Sequence, residues 1–568
     1  MVAGARTFTL EDTLLEHQVL EPPPTRHALF ISLLLLAAIL HLATAGWGDL
    51  FDGPEGQFAG GAREMLASQQ WLTPTTDGVP RLQTPPLVYW LIIISYKVFG
   101  VSEMATRLPI ALAMVASVAL TFLIGERLAG YWRGFAAGLI HLCFAGTFLL
   151  GRAVTAEPVF SAFLAGAMLC AIRGYQRRQL RRAWFAGFWL CVSLACLSKG
   201  LEGVGYPMGV CLILAIFSRE ARLRFRFLLH WAYLLLFLAL VAPWYIWAER
   251  HFPGFFSRWL VWPDEPGLSR WQFLGLHLAW WFPASLLVLP GLLFALRRVV
   301  RPNEINLADA LPVSWMAVGF LPLLLVGHAS AYSSMSMWGS FALWAALVWE
   351  RTPRLLLVAG LGLLVLIAIS LGALACFASD FPASFAPAGV PLSNWLELRR
   401  ILGMASVALG ICGGLAAYFA GRRRPEIALI LVLVAMVPIG LGLAESVSRM
   451  APFFSLAGPA RFLNPRLGEQ GQVLYEGPLH RGNTLAFYLN RKFFLVNQEP
   501  DFFDRDQEAR AKYIDEQFVL EIWNRSTPVY LIIDESRIPH WQDLITSRVH
   551  IFHQVTTSGH FVVLSNQL

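Results

Sequence analysis

The chain has 568 residues, of which 56% are hydrophobic and 14% charged, and its formal net charge is +7. Soluble domains carry about 25% charged residues, so a fully soluble fold is excluded and most of the chain must be dissolved in lipid. The positive charge sits in short arginine flanks of apolar runs, which argues against a nucleic-acid surface and for membrane topology.

The first 26 residues lack the pattern of a cleaved signal peptide, and the apolar run after them is too long for one. It reads as a retained first span over 27–46. Further apolar runs lie near 105–125, 132–151, 155–172, 183–198, 203–217, 228–248 and 277–296, then 308–327, 331–349, 355–376, 400–420 and 426–444. A crossing takes about 18–20 apolar residues, so these runs predict an α-helical polytopic membrane protein with about 13 spans. All seven cysteines fall inside the runs, so no disulfide or Cys-metal framework is expected in the tail.

Arginines mark alternate loops, at Arg127 and Arg133, at Arg173 to Arg182, at Arg219 to Arg226, at Arg297 to Arg301, at Arg351 and Arg354, and at Arg422 to Arg424. The positive-inside rule makes these loops cytoplasmic. The predicted organisation is a cytoplasmic N-terminus (1–26), a transmembrane domain (27–445) with a large first periplasmic loop at 47–103, and a periplasmic domain (446–568).

That first loop carries three acids, Asp49, Asp52 and Glu55, just beyond the first span. Phe58, Ala59, Ala62, Met65 and Leu66 then share one apolar face at helical spacing, predicting a helix along the membrane surface with Arg63 and Glu64 off the stripe. Asp52 reads as the cap of this helix, with Glu55 three residues on completing a capping-box-like pair. A capped helix end is also a rigid platform for a functional carboxylate.

Glu157 stands at the mouth of the fourth span, with Arg152 five residues earlier as a ready partner. An ionisable group at a bilayer centre costs about 2.5 kcal/mol or more, so such groups are kept for function or paired. Lys199 and Glu202, on the outer side of the fifth span, can neutralise each other. Topology places Asp52, Glu55, Arg81, Arg107, Glu157, Lys199 and Arg270 at one membrane face. Cations there suit a lipid-borne phosphate, and a carboxylate can accept a proton from an attacking hydroxyl. Tryptophans such as Trp47, Trp71, Trp244 and Trp280 read as an interfacial belt. The segment 249–276, with Arg258, Asp264, Glu265 and Arg270, reads as a substrate-gating loop, and His277 as interfacial.

After residue 445 the pattern changes to short β-type runs at 472–477, 492–497, 528–534, 549–555 and 560–565. Between the second and third, 504–523 reads as one helix with Ala509, Tyr513 and Phe518 on one side. A small α/β domain follows, with no glycine-rich phosphate loop, nucleophile elbow or zinc pattern, and it reads as a lid or docking module.

The order of these features resembles the GT-C class of membrane glycosyltransferases, in the bacterial branch of protein O-mannosyltransferases and the lipid A aminoarabinose transferase. The resemblance rests on PEGQFAGGAREMLASQQWLTP, GVPRLQTPPLVYWL, Thr106-Arg107-Leu108-Pro109, Glu157 and Ser198-Lys199-Gly200. It implies a GT-C fold in the bacterial inner membrane that moves a sugar, with inversion, from an undecaprenyl-phosphate donor to a lipid, glycan or protein acceptor on the periplasmic face. Its implied catalytic residues are Asp52, Glu55 and Glu157. Donor-phosphate candidates are Arg63, Arg81, Arg107, Lys199, Arg258, Arg270, His328 and Tyr332. The chain departs from the pattern in having Pro54-Glu55 for the family's Asp-Glu pair, Gln83-Thr84 for its Glu-Lys, and Glu157 for its usual Asp. A divalent metal is left open, because no ligand spacing supports one. The competing readings are a transporter or flippase of a lipid-linked sugar, for which no matching half-repeats are visible, and a non-catalytic GT-C scaffold, which the altered motifs would suit.

Overall fold

The structure is a computed structural model that describes residues 23–177, 180–260, 267–291, 307–326, 329–377, 395–500, 510–548 and 552–567. Helix α1 (Pro23–Ala43) leads into the first loop, which holds α2 (Pro54–Ser68), a hairpin of β1 (Thr75–Thr76) and β2 (Val79–Pro80), and α3 (Leu87–Phe99). There follow α4 (Glu103–Ala129), α5 (Tyr131–Leu142), α6 (Ala145–Leu150), α7 (Glu157–Gln176), α8 (Arg181–Lys199) and α9 (Glu202–Phe217). Next are α10 (Arg219–Phe225), α11 (Trp231–His251), α12 (Phe255–Leu260), α13 (Arg270–Trp280) and α14 (Leu307–Val326). The membrane domain closes with α15 (Trp338–Arg351), α16 (Arg354–Cys376), α17 (Trp395–Gly421) and α18 (Pro425–Arg449).

Among the described residues each apolar run is mostly helical, but not every run is a straight crossing. Among the described residues eight helices are long and apolar enough to cross a bilayer, or nine if Arg270–Trp280 and Ala284–Gly291, which meet at 108°, form one broken span. The run at 132–151 divides at Cys143-Phe144 into α5 and α6, while α9 and α15 are too short to qualify alone. These pieces are buried among longer neighbours, where packing rather than length holds a helix.

The first loop differs from its expected form. Helix α2 turns its apolar face into protein. It is buried on two sides, between α3 and a helix of the C-terminal domain. Its glycines permit this: a Cβ on Gly61 would meet the Tyr89 ring at 2.7 Å, and one on Gly56 would meet the Thr484 nitrogen at 2.7 Å. Phe58, Met65, Tyr89, Ile92 and Tyr96 share a core with Val159, Leu197, Trp244 and Tyr245 from the ends of α7, α8 and α11. The loop is therefore a plug seated on the ends of the spans.

The C-terminal domain runs through α19 (Ala457–Leu463), β3 (Gln472–Glu476), α20 (Asn483–Tyr488), β4 (Phe494–Val496), β5 (Tyr513–Ile514) and α21 (Glu516–Trp523). It ends with β6 (Val529–Asp534), α22 (Ile538–Thr546), β7 (His553–Ser558) and β8 (Phe561–Ser565). The strands form one sheet in the order β5-β4-β3-β6-β8-β7, parallel from β5 to β6 and antiparallel after it. Val473 and Tyr475 face a core with Leu463 and Leu485, and Leu474 faces one with Trp523 and Trp541. The helix expected over 504–523 is corrected. Only Glu516–Trp523 of it is described as this helix, because Tyr513–Ile514 pairs with Leu495–Val496 as an edge strand. Asp515 then starts the helix by accepting from the Phe518 nitrogen at 2.9 Å. Residues 501–509, including Ala509, lie outside the described residues, as do 549–551 of the expected fourth strand.

Candidate functional site

Two groups of buried charge meet the plug, and their bonding differs. In the first, Arg107 of α4 holds Glu55 in a two-pronged pair, Nε to Oε1 at 2.8 Å and Nη2 to Oε2 at 2.9 Å. Its remaining donors reach the carbonyls of Trp47 at 3.0 Å, Gly48 at 2.9 Å and Asp49 at 2.9 Å. Glu55 Oε2 also accepts from the Phe51 nitrogen at 2.8 Å. Both side chains are buried. A planar guanidinium with all its edges on protein acceptors has none left for a ligand phosphate. The expectation that Arg107 binds the donor phosphate is thus corrected: here it braces the turn after α1. Glu55, its oxygens filled, is held as part of the same brace.

The neighbouring carboxylate, Asp52, faces the C-terminal domain. Its Oδ1 accepts from the Thr484 nitrogen at 2.8 Å and hydroxyl at 2.7 Å, while its backbone nitrogen donates to Phe454 O at 2.7 Å. Burial pushes its carboxyl up to about 7, and the Thr484 hydrogen bonds oppose that rise. The capping-box reading is overturned: the N-cap is Gly53, which makes no side-chain cap. More of α20 joins this seam. Tyr488 O–H donates to Glu103 at 3.1 Å and accepts from the Leu50 nitrogen at 2.8 Å. Arg461 pairs with Asp49 at 2.6 Å and Glu103 at 3.0 Å. Arg63, expected at the donor phosphate, instead donates to Phe487 O, to Leu489 O at 3.1 Å and to Asn490 Oδ1 at 2.9 Å. It bonds α2 to the C-terminal domain.

The second group lies where three helix ends converge. Glu157 opens α7, Lys199 closes α8 and Glu202 opens α9. Gly200, at φ +101°, makes the turn between the last two, a conformation that favours glycine. Lys199 Nζ lies 2.6 Å from Glu157 Oε1 and 2.7 Å from Glu202 Oε2, and 5.2 Å from the centre of the Phe160 ring. Side-chain exposure rises from 3% at Glu157 through 18% at Lys199 to 38% at Glu202, so the triad runs from the interior toward the surface. Glu157 Oε2 has no hydrogen-bond partner among the described residues. Arg152 is not its partner. It donates to Thr44 O, Trp47 O and Ala444 O, each at 2.9 Å. Both charges of the Lys-Glu pair anticipated at 199 and 202 are present, joined by a third from Glu157.

The other candidates lie apart from this triad or outside the described side chains. Arg81 follows the β-hairpin, its backbone nitrogen donating to Pro74 O at 2.7 Å, within electrostatic reach of Tyr89. Arg270 opens α13, is exposed, and donates to Leu325 O at 3.0 Å. Tyr332 is half-buried before α15. The Arg258 side chain, His328, Asp264 and Glu265 lie outside the described residues. Among the described residues no three of His, Cys, Asp and Glu gather as metal ligands. Sequence reasoning missed Thr484, Tyr488 and Arg461, which meet the first loop from more than 350 positions away in the chain.

Residues 83–247 match the family model described as dolichyl-phosphate-mannose-protein mannosyltransferase. An uncharacterized Aquifex aeolicus protein is 30% identical over 182 residues, 32% of this chain and 36% of that protein. An undecaprenyl phosphate-alpha-4-amino-4-deoxy-L-arabinose arabinosyl transferase of Edwardsiella ictaluri is 26% identical over 422 residues, 70% of this chain and 73% of its own. The matches to the Aquifex protein and to a Sodalis glossinidius transferase thus span only about a third of those relatives' lengths. Among solved structures, ArnT from Cupriavidus metallidurans bound to undecaprenyl phosphate superposes with a TM-score of 0.79 at 18% identity, covering 96% of this chain and 98% of that one. The Archaeoglobus fulgidus oligosaccharyltransferase follows with a TM-score of 0.52 at 12% identity, covering 91% and 71%. At such identities the likeness is one of fold, and it spans nearly the whole chain.

Proposed function

We propose that this chain, which has the fold of ArnT and sequence similarity to arabinosyl transferases, is a GT-C membrane glycosyltransferase that takes a sugar from a polyprenyl-phosphate donor. Transfer occurs on the periplasmic face, where the acceptor is a lipid, glycan or protein, and the long first loop and the C-terminal domain lie on that side. The observation that carries the reading is the Glu157–Lys199–Glu202 triad, a buried ammonium beside a carboxylate that keeps one oxygen without a partner among the described residues.

The chemistry follows from that asymmetry. A lipid phosphate approaches Lys199 from the side of Glu202, the most exposed of the three, and the ammonium charge offsets the charge gained as the bond from the anomeric carbon to the phosphate oxygen breaks. The acceptor hydroxyl forms the new bond from the opposite face, inverting the centre, and its proton passes to Glu157 Oε2. The released carrier keeps the electron pair as a phosphate monoester. Arg81 and Arg270 assist the phosphate in this proposal, and Tyr332 borders the donor side. The Glu55–Arg107 brace and the Asp52–Thr484 contact position the plug over the triad.

The test is a carrier-release assay. Full-length protein in proteoliposomes is given a panel of undecaprenyl-phosphate sugars with cell-envelope acceptors, and free undecaprenyl phosphate is measured. Release from at least one donor, lost in folded Glu157→Gln, supports the reading. Release that survives Glu157→Gln removes Glu157 from the chemistry.

A further inference from the structure

A groove of about 730 Å³ opens between α17 and α18, lined by Arg399, Arg400, Gly403, Met404, Val407, Ala408 and Pro438. Its helices pack on α16 and on each other, so this groove is built from elements other than those of the Glu157 triad. Below its mouth the lining is apolar. At the mouth Arg399 and Arg400 are exposed, and Arg449 joins them across Glu445, which lies 2.6 Å from Arg449 and 3.7 Å from Arg400. Arg400 and Arg449 thus share one carboxylate.

Their position is unusual for this chain. The arginines cluster at the ends of the helix pair away from the Arg422–Arg424 turn, the end that the positive-inside rule leaves poor in cations. Two adjacent exposed arginines at such an end suit an anionic partner. The depth of the groove says what kind. From Arg400 to Ala408 a helix rises about 12 Å, close to one leaflet of a hydrocarbon core that is about 30 Å thick. Gly403 leaves the wall without a side chain, and Pro438, inside the facing helix, lines the opposite side.

We propose that this groove binds one anionic glycerophospholipid, its phosphate held by Arg399 and Arg400 and one acyl chain lying against Met404, Val407 and Ala408. Basic clefts between membrane helices select anionic head groups in this way. The site is distinct from the donor site proposed above, and the lipid is a bound structural partner that is not consumed.

Full-length protein is equilibrated with equimolar phosphatidylglycerol and phosphatidylcholine in nanodiscs, released, and weighed by native mass spectrometry to count retained lipids. Wild type is expected to keep one phosphatidylglycerol in preference to phosphatidylcholine. The Arg399→Gln/Arg400→Gln pair is expected to lose that preference at least tenfold, and the Arg399→Lys/Arg400→Lys pair to keep most of it. Met404→Trp, which fills the groove and leaves both arginines, is expected to lose it as well. Glu157→Gln should retain the lipid, which separates this site from failure of the transfer reading. Equal phosphatidylglycerol retention in wild type and the Gln pair overturns the proposal. So does a wild type without preference, or a groove that takes added undecaprenyl phosphate in place of phosphatidylglycerol.

Discussion

The Glu55–Arg107 pair and the Glu157–Lys199–Glu202 triad are both buried charge at the same plug, yet they are built for opposite ends. Arg107 spends its donors on one carboxylate and on carbonyls of the turn after α1, leaving neither partner anything to offer. Lys199 serves two carboxylates, one of which keeps an oxygen without a partner among the described residues, and exposure is greatest at Glu202. A saturated charge network holds a shape, whereas an unsaturated one at a mouth can exchange its partners with a ligand.

The sharpest way to break that comparison is to cut the brace. Arg107→Ala leaves Glu55 buried without its cation, and removing one partner of such a pair costs about 3–5 kcal/mol. We expect loss of monodisperse protein in detergent and a large fall in melting temperature, read by size exclusion and thermal scanning. If Arg107→Ala folds normally but fails to bind the carrier, the division of roles is wrong. The counterpart is Glu157→Gln, which keeps shape and removes a base. Lys199 keeps Glu202, so the variant's melting temperature should fall less than that of Arg107→Ala, while carrier release falls about 10²–10⁴-fold.

A smaller effect sharpens the role of Asp52. Thr484→Val removes one donor to a buried carboxylate and should cost about 1–3 kcal/mol at the seam. Hydrogen exchange in α20 should then rise, while Thr484→Ser stays close to wild type. A further effect is in pH. Asp52 is pushed up to about 7 and Asp77 to about 6, both chiefly by burial, with Lys512 opposing the shift at Asp77. Each folded carboxyl holds a proton that the unfolded chain releases near 4. Their contribution is therefore complete below that pH and is lost as pH rises through 6 to 7. Protection of α20 should be greater at pH 5 than at pH 8, and Asp52→Asn should flatten the difference. A seam that tightens as pH rises would contradict the assignment.

The membrane helices were legible because apolar runs bounded by arginine follow from lipid solvation alone, and α7 and α18 lie close to where composition puts them. The triad was legible in part. Charged residues beside spans are rare enough to stand out, but the sequence could not show that Glu157 would meet Lys199 rather than Arg152. The seam was not legible. Thr484 and Tyr488 sit in a six-residue helix of ordinary composition, and the meaning of Asp52 depends on that distant contact. The same cause misled the reading of α2. Its apolar stripe implied one buried face, while Gly56 and Gly60, silent in a hydrophobic pattern, admit α20 on another.

The central claim is that Lys199, and not the saturated Arg107, holds the carrier phosphate. The direct measurement is the affinity of undecaprenyl phosphate for wild type and for Lys199→Met combined with Glu202→Gln, a pair that leaves the triad's net charge unchanged. The account predicts affinity at least tenfold weaker in the double variant, measured on the fraction that elutes as folded, monodisperse protein. Wild-type affinity in that folded variant would contradict it.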